Sequence, residues 1–167
     1  RFKVFIFGTE HWGEKWIVDY LKKLRAQKPT FSNGDNQTNA LLVAGEYTIN
    51  IGSYLFNILG LQERGAPVAF APLNPGITGG TYPTMIPITG SHPNAAKLLL
   101  RFMISSEGQA LVDKIKKKGN PYPGTGTAQS KALEKLGITK IGACTEWAFE
   151  NQTRLEKLYW PAIGFKK

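Results

Sequence analysis

The segment from Ser91 to Gln109 constrains the fold of this chain more than any other stretch. Ser91 can cap a helix, and Pro93 suits the first helical turn because a missing N–H removes no hydrogen bond there. Either serine of the following Ser-Ser pair can cap a second helix. Between these caps, apolar side chains recur at helical spacing at Leu98, Leu99, Phe102 and Met103. The pattern predicts two consecutive helices, the first with an apolar stripe that packs into a core.

Length and composition set the broad class of the protein. The chain has 167 residues, of which 42% are hydrophobic, with four tryptophans among them. This is enough for one ordinary domain or two small lobes with a real core. A bilayer-spanning helix needs about 18 consecutive apolar residues, and the sequence has no such run. We therefore expect a soluble globular protein.

The residues that usually carry catalysis or bind metals are scarce. Cys144 is the single cysteine, and the two histidines, His11 and His92, stand about eighty residues apart. That spacing fits no zinc site, and neither a phosphate-binding loop nor a Gly-x-Ser-x-Gly nucleophile motif occurs. A half-buried filler is the simplest interpretation of the cysteine. We expect no enzyme activity, no metal and no cofactor.

The formal net charge of +9 raises anionic partners, including nucleic acids, as a hypothesis. One basic group falls on the outer face of a predicted helix, and another ends a predicted helix, where cations suit the dipole. Neither is interleaved with the aromatic residues that single-stranded nucleic acid would stack on. The two groups are Lys22, Lys23, Arg25 and Lys28, then Lys114, Lys116, Lys117 and Lys118. Solvated faces explain them, and we expect no nucleic-acid partner.

Apolar, β-branched stretches alternate with helical patterns along the chain, which predicts α/β layers. The predicted strands are Phe2 to Phe7, Glu46 to Ile51, Ala66 to Leu73 and Met85 to Thr89. Besides the opening pair, the predicted helices run from Glu10 to Gln27, with Thr9 as cap, from Thr38 to Ala44, from Gly52 to about Leu61, from Gln129 to Leu136 and from Glu146 to Tyr159. Trp12, Trp16 and Tyr20 share one face of the first of these helices, and we expect that face to be core.

Three places combine short polar side chains with turns or helix starts. At Gly52-Ser53-Tyr54 a predicted strand meets a helix N-terminus, whose free N–H groups suit a ligand; alternatively, Ser53 caps the helix and Tyr54 packs. Ser32 and Asn33 lie in a loop, either as ligand contacts or as an Asx-type turn. Asn74 and Thr78 lie where the second strand runs into a Gly/Pro-rich crossing, either as ligand contacts or as hinge or turn residues. These residues are the candidate binding set: Ser32, Asn33, Gly52, Ser53, Tyr54, Asn74 and Thr78.

Four motifs in order also resemble one family. His92-Pro93-Asn94-Ala95-Ala96 with Ser106-Glu107-Gly108-Gln109 is similar to its "hPNAAklf…lSkEGQ" block, and Val43 to Tyr47 is similar to its "laaGEy" turn. The Trp12 to Phe31 stretch and Gly65-Ala66-Pro67-Val68 are similar to two further motifs. The chain thus resembles type 2 periplasmic solute-binding proteins of ABC importers, with likeness to the ferric-binding-protein branch.

The resemblance implies a periplasmic-binding-protein type 2 fold, with two α/β lobes around a solute and a mixed sheet flanked by helices. The order of motifs corresponds to the C-terminal half of complete members, a second lobe plus part of the first. The implied division is 1–73 for a second-lobe segment, 74–84 for the hinge crossing, 85–127 for a first-lobe return and 128–167 for C-terminal helices. Implied partners are a small polar or anionic solute, an ABC transporter permease and the missing N-terminal half. The implied location is periplasmic or extracytoplasmic, with any membrane anchor in that missing half.

The resemblance places solute contacts at Ser32-Asn33, Gly52-Ser53-Tyr54 and the hinge near Asn74. Ferric-ion members use two adjacent tyrosines after the strand that corresponds to Thr48–Ile51, whereas here Tyr54 is followed by Leu55 and Phe56. The departure argues against iron and leaves an organic or phosphorylated anion, a polyamine or a sugar derivative open. The alternative functions are a regulator's effector-binding domain, a small enzyme and a small basic nucleic-acid-binding module.

Overall fold

Helices dominate the architecture. The computed structural model describes residues 3–32, 34–77 and 84–165. Within these ranges the helices are α1 (Lys3–Phe7), α2 (Thr9–Trp12), α3 (Glu14–Ala26), α4 (Asp35–Val43), α5 (Leu55–Glu63), α6 (Pro93–Ile104), α7 (Ser106–Lys116), α8 (Ala128–Lys135), α9 (Glu146–Glu150) and α10 (Gln152–Ile163). Two short strands, β1 (Gly76–Ile77) and β2 (Ile141–Gly142), pair in parallel.

The chain divides into two compact units. The first comprises residues 1–53, 71–80 and 140–167, and the second comprises residues 54–70 and 81–139. The first unit therefore contains α1 to α4, α9, α10 and the strand pair. The second contains α5 to α8.

The core of the first unit lies where α3 packs against α10. Ile17 and Leu21 of α3 and Leu155 of α10 are completely buried. The helical spacing of their apolar residues gives each helix one stripe, and the two stripes face each other. Four of the five residues of α1 are apolar, and three of these add buried side chains to the same cluster. Besides Ile17, Leu21 and Leu155, the buried members of the cluster are Phe5, Ile6 and Phe7 of α1, with Ala148, Tyr159 and Ile163.

Polar contacts fix the register of this packing. The Thr9 hydroxyl donates to the Phe5 carbonyl at 2.8 Å, so its oxygen accepts from the Tyr159 hydroxyl at 3.0 Å. Burial raises the pKa of Tyr159, which keeps this donor protonated. Arg154 grips the Glu14 carboxylate through two nitrogens at 2.7 and 3.0 Å, and these bonds lower the pKa of Glu14. The small stabilisation from this exposed pair is present at neutral pH and is lost as the pH falls through the lowered pKa.

The predicted helix from Glu10 to Gln27 is interrupted at Gly13. Gly13 has a φ of 77°, a left-handed conformation that side chains disfavour, and it separates α2 from α3. Thr9 is the first residue of α2 and bonds backward to α1, so the prediction that it caps the long helix is wrong. Trp16 is 48% exposed, so the predicted aromatic core face is also only partly buried.

Two features tie the helices of the second unit together. The Asp113 carboxylate, near the end of α7, accepts from the Gly119 N–H at 3.1 Å and from the Ala128 N–H at 3.0 Å. An anion is favourable at the start of α8 because that helix end has free N–H groups. A side chain at Gly108 would meet the Phe102 carbonyl oxygen at 2.0 Å, so only glycine lets α7 begin this close to α6.

The helix pair of the opening segment is confirmed, but its apolar stripe is not core. Ser105 caps α7 by accepting from the Gly108 N–H at 3.2 Å, as the sequence predicts. His92, and not Ser91, occupies the N-cap of α6. No residue of α6 is buried by the described part of the chain, and Leu98 is 70% exposed. The stripe stays open because α7 is the helix that packs against α6 in this unit, and it covers little of that face.

The four predicted strands are absent from the described residues, and the predicted mixed sheet is reduced to the β1–β2 ladder. The first stretch forms α1, since a short apolar run fits a buried helix as well as a strand. Residues 46–51, 66–73 and 85–89 are irregular. The second of these stretches contains Pro67 and Pro72, and the third contains Pro87. Proline lacks the backbone N–H that a β-ladder requires. The α/β class is therefore not confirmed beyond one pair of strands.

We predict that Leu155→Ala lowers the free energy of unfolding by about 2–5 kcal/mol, because it leaves a cavity between α3 and α10. Leu158→Ala on the same helix, where the side chain is 39% exposed, serves as the control and should cost less than about 1 kcal/mol. Urea denaturation followed by circular dichroism measures both. Equal losses for the two variants would contradict this assignment of the core.

We further predict that the open face of α6 binds an apolar dye. Replacing Leu98 and Leu99 together by Gln should lower the fluorescence of bound anilinonaphthalene sulfonate severalfold, while the helical circular dichroism signal stays constant. Exposed positions contribute little to folding, so the free energy of unfolding should change by about 0.5 kcal/mol or less per residue. A large loss of stability would show that this face is buried in solution.

Candidate functional site

Ser53 belongs to a polar cluster centred on Asn39. The Asn39 side-chain oxygen accepts from Ser53 Oγ at 3.1 Å and from Asn50 Nδ2 at 2.9 Å. Asn39 is only 5% exposed and lies on α4, so both partners are bonded to a buried side chain of that helix. The left-handed conformation of Gly52, with a φ of 88°, turns the chain between these partners. Because Ser53 donates its hydroxyl proton to Asn39, the Ser53 oxygen can only accept a hydrogen bond from a ligand.

The prediction that Ser53 caps the following helix is wrong. Tyr54 occupies the N-cap of α5, and no side-chain hydrogen bond caps that end. Tyr54 is 40% exposed, and its ring stacks on Phe56 with the centroids 5.2 Å apart. Ser53 therefore keeps a position from which it can contact a ligand, whereas Tyr54 belongs to the second unit.

Ser32 is also tied to its own loop. The Thr38 hydroxyl donates to the Gly34 carbonyl at 2.9 Å, and the Ser32 hydroxyl bonds to Thr38 Oγ1. Since the proton of Thr38 is already used, Ser32 is the donor in this bond. Ser32, like Ser53, offers acceptor lone pairs to a ligand. The neighbouring Asn33 lies outside the described residues.

Asn74 lines a cavity in the first unit, beside the strand pair. The cavity is open to solvent on one side and has a volume of about 440 Å³. The indole N–H of Trp12 donates to the Asn74 carbonyl at 3.3 Å and fixes that stretch of backbone. The lining residues are His11, Asn74, Pro75, Lys140, Ile141 and Gly142. Thr78, the other predicted residue of this crossing, lies outside the described residues.

Sequence reasoning missed Asn39, His11 and Lys140. Asn39 sits inside a helix, where an amide is usually a solvated side chain, and no local pattern shows that it is buried. Lys140 lies more than sixty residues from Asn74, and the β1–β2 pairing brings them to one cavity. A polar residue at the buried position of an amphipathic helix is the one signal that could have indicated Asn39.

The described residues hold neither an activated thiol nor a cluster of metal-binding side chains. Burial raises the pKa of the Cys144 thiol, which disfavours the nucleophilic thiolate at neutral pH. Among the described residues, no group of three histidines, cysteines or acids is placed to hold a metal ion.

None of the helices in the described ranges is long and apolar enough to cross a membrane.

We predict that Asn39→Ala destabilises the chain by about 1–3 kcal/mol, because it removes the acceptor that Asn50 and Ser53 share. Asn36→Ala, an exposed amide on the same helix, is the matched control, with an expected change of about 0.5 kcal/mol or less. Hydrogen exchange near residues 50–53 should accelerate in the Asn39 variant alone. Identical behaviour of the two variants would contradict the role of Asn39 as the centre of this cluster.

Comparison with known proteins identifies the family. The family model described as "bacterial extracellular solute-binding protein" matches residues 8–115, which is more than half of the chain. No curated protein and no solved structure matches the chain significantly. The matched region includes Ser32, the Asn39 cluster, Asn74 and the α6–α7 pair. The chain belongs to the bacterial extracellular solute-binding protein family.

Proposed function

We propose that this chain captures a small polar solute outside the cytoplasm and delivers it to the permease of an ABC importer. The observation that carries the proposal is the family match over residues 8–115. The polar groups at Ser53 and Asn74, both in the first unit, support it. Catalysis finds no support in these groups, since they suit hydrogen bonding to a solute and not bond making.

The proposed contacts are hydrogen bonds from a rigid base. Asn39 holds Ser53 from a buried position, so the serine loses little side-chain freedom when a solute binds. Ser32 is restrained in the same way by Thr38. Asn74 adds an amide, which can both donate and accept. Gly52, Tyr54, Asn33 and Thr78 remain in the proposed set on the sequence pattern alone.

The proposed whole protein is two-lobed, and this chain is its C-terminal half. The proposed segments are 1–73 in the second lobe, 74–84 as the hinge crossing, 85–127 in the first lobe and 128–167 as the closing helices. The open apolar face of α6 supports a further partner segment, since such faces are normally covered. The missing N-terminal half is the proposed cover, and it would also carry any membrane anchor.

The contacts of two lysines bear on the choice between a solute and nucleic acid as the partner. Lys117 pairs with Glu63 at 2.9 Å, and the ammonium group of Lys118 lies 4.6 Å from the centre of the Phe56 ring. Both side chains are thus engaged by the second unit itself. These contacts leave the two cations less available to a phosphate backbone, which supports a solute as the partner in place of nucleic acid.

Thermal shift with a panel of small solutes tests the proposal. The panel contains sugars, polyamines, amino acids, carboxylates and organophosphates, and at least one class should raise the melting temperature of the chain. Ser53→Ala should then weaken binding of that solute about fivefold to tenfold, the effect of one hydrogen bond. Ser91→Ala, an exposed serine of the second unit, should leave binding unchanged. Failure of every solute to stabilise the chain would contradict the proposed function.

A further inference from the structure

We propose that the cavity beside β1 and β2 binds the negatively charged end of a small organic anion, a carboxylate or a phosphate ester, through Lys140 and His11. This inference rests on the proposed function and deepens it by naming the class of solute. The sequence leaves anions, polyamines and sugar derivatives equally open, so the choice among them comes from the lining of this cavity.

The sign of the charge follows from which groups line the cavity. Lys140 and His11 are the lining residues that can carry a positive charge, and no acidic residue lines the cavity among the described residues. The nearest acid in sequence is Glu10, and its carboxylate accepts a hydrogen bond from the Thr145 hydroxyl. An anion gains a charge-assisted hydrogen bond from the ammonium group, whereas a polyamine would meet a like charge.

The rest of the lining fits a short carbon skeleton. Pro75 and Ile141 give the cavity apolar surface, and Asn74 and Gly142 line it as well. The volume of about 440 Å³ leaves room for a short carbon skeleton beside the charged end. The strand pair makes the place rigid, since Gly76 donates from its N–H to the Lys140 carbonyl at 3.2 Å.

Three probes with four carbons each isolate the effect of charge. Succinate is a dianion, 1,4-butanediol is neutral and putrescine is a dication, so their skeletons match while their charges differ. Isothermal titration of the whole chain should show binding of succinate and at least tenfold weaker binding of the other two. Lys140→Gln should weaken succinate binding about tenfold or more. Lys22→Gln removes the same charge from an exposed position on α3 and should change binding less than twofold.

Each other outcome overturns the inference in a recognisable way. If succinate binds the Lys140 and Lys22 variants equally well, the anion is held elsewhere and the assignment of the cavity is wrong. If butanediol, putrescine or a sugar binds better than succinate, the charge assignment fails while the proposed solute capture stands. If neither these probes nor any member of the wider solute panel binds, the inference and the proposed function fail together.

Discussion

The packing of α3 against α10 is the constraint on which the first unit depends. Ile17, Leu21 and Leu155 are completely buried in one cluster, although 125 residues separate the end of α3 from the start of α10. Folding of this unit must therefore close a long loop, and the apolar burial between these two helices offsets the entropy of that closure. The Arg154–Glu14 ion pair links α10 to α3 directly, and the Thr9–Tyr159 bond links α10 to α2. Residues 71–77 and 140–142 belong to the same unit as these helices, and β1 pairs with β2 there.

The candidate binding groups depend on contacts between residues distant in sequence as well as on local ones. Asn74 and Lys140 share a cavity because the strands beside them are parallel and in register. Asn39 gives Ser53 and Asn50 one common acceptor, and this fixes the direction in which each hydrogen bond runs. Buried amides of this kind are costly unless their bonds are made, so the cluster is rigid when formed. Rigid polar groups on a helical base are what a solute-binding surface requires.

Local sequence patterns predicted where the helices lie better than they predicted which side chains are buried. The α6–α7 pair and the cap at Ser105 follow from residues within a few positions of each other, and both are confirmed. The prediction of the strands was wrong because a strand forms only beside a partner strand. In residues 66–73 and 85–89, prolines also remove backbone N–H donors that such pairing needs. The stripe of α6 was expected in the core, but helical periodicity does not say whether a facing element exists. His11 and Lys140 could not be assigned to one cavity, since their meeting depends on long-range pairing.

The central claim is that solute binds on the first unit, at the cavity held by the strand pair. Heteronuclear NMR of the nitrogen-15-labelled chain, titrated with succinate, tests it most directly. The account predicts that the indole N–H resonance of Trp12, which bonds to Asn74, shifts together with the amides of Gly76 and Gly142, while the amides of α6 and α7 stay in place. Shifts confined to α6 and α7, or no saturable shift at these three positions, would contradict it.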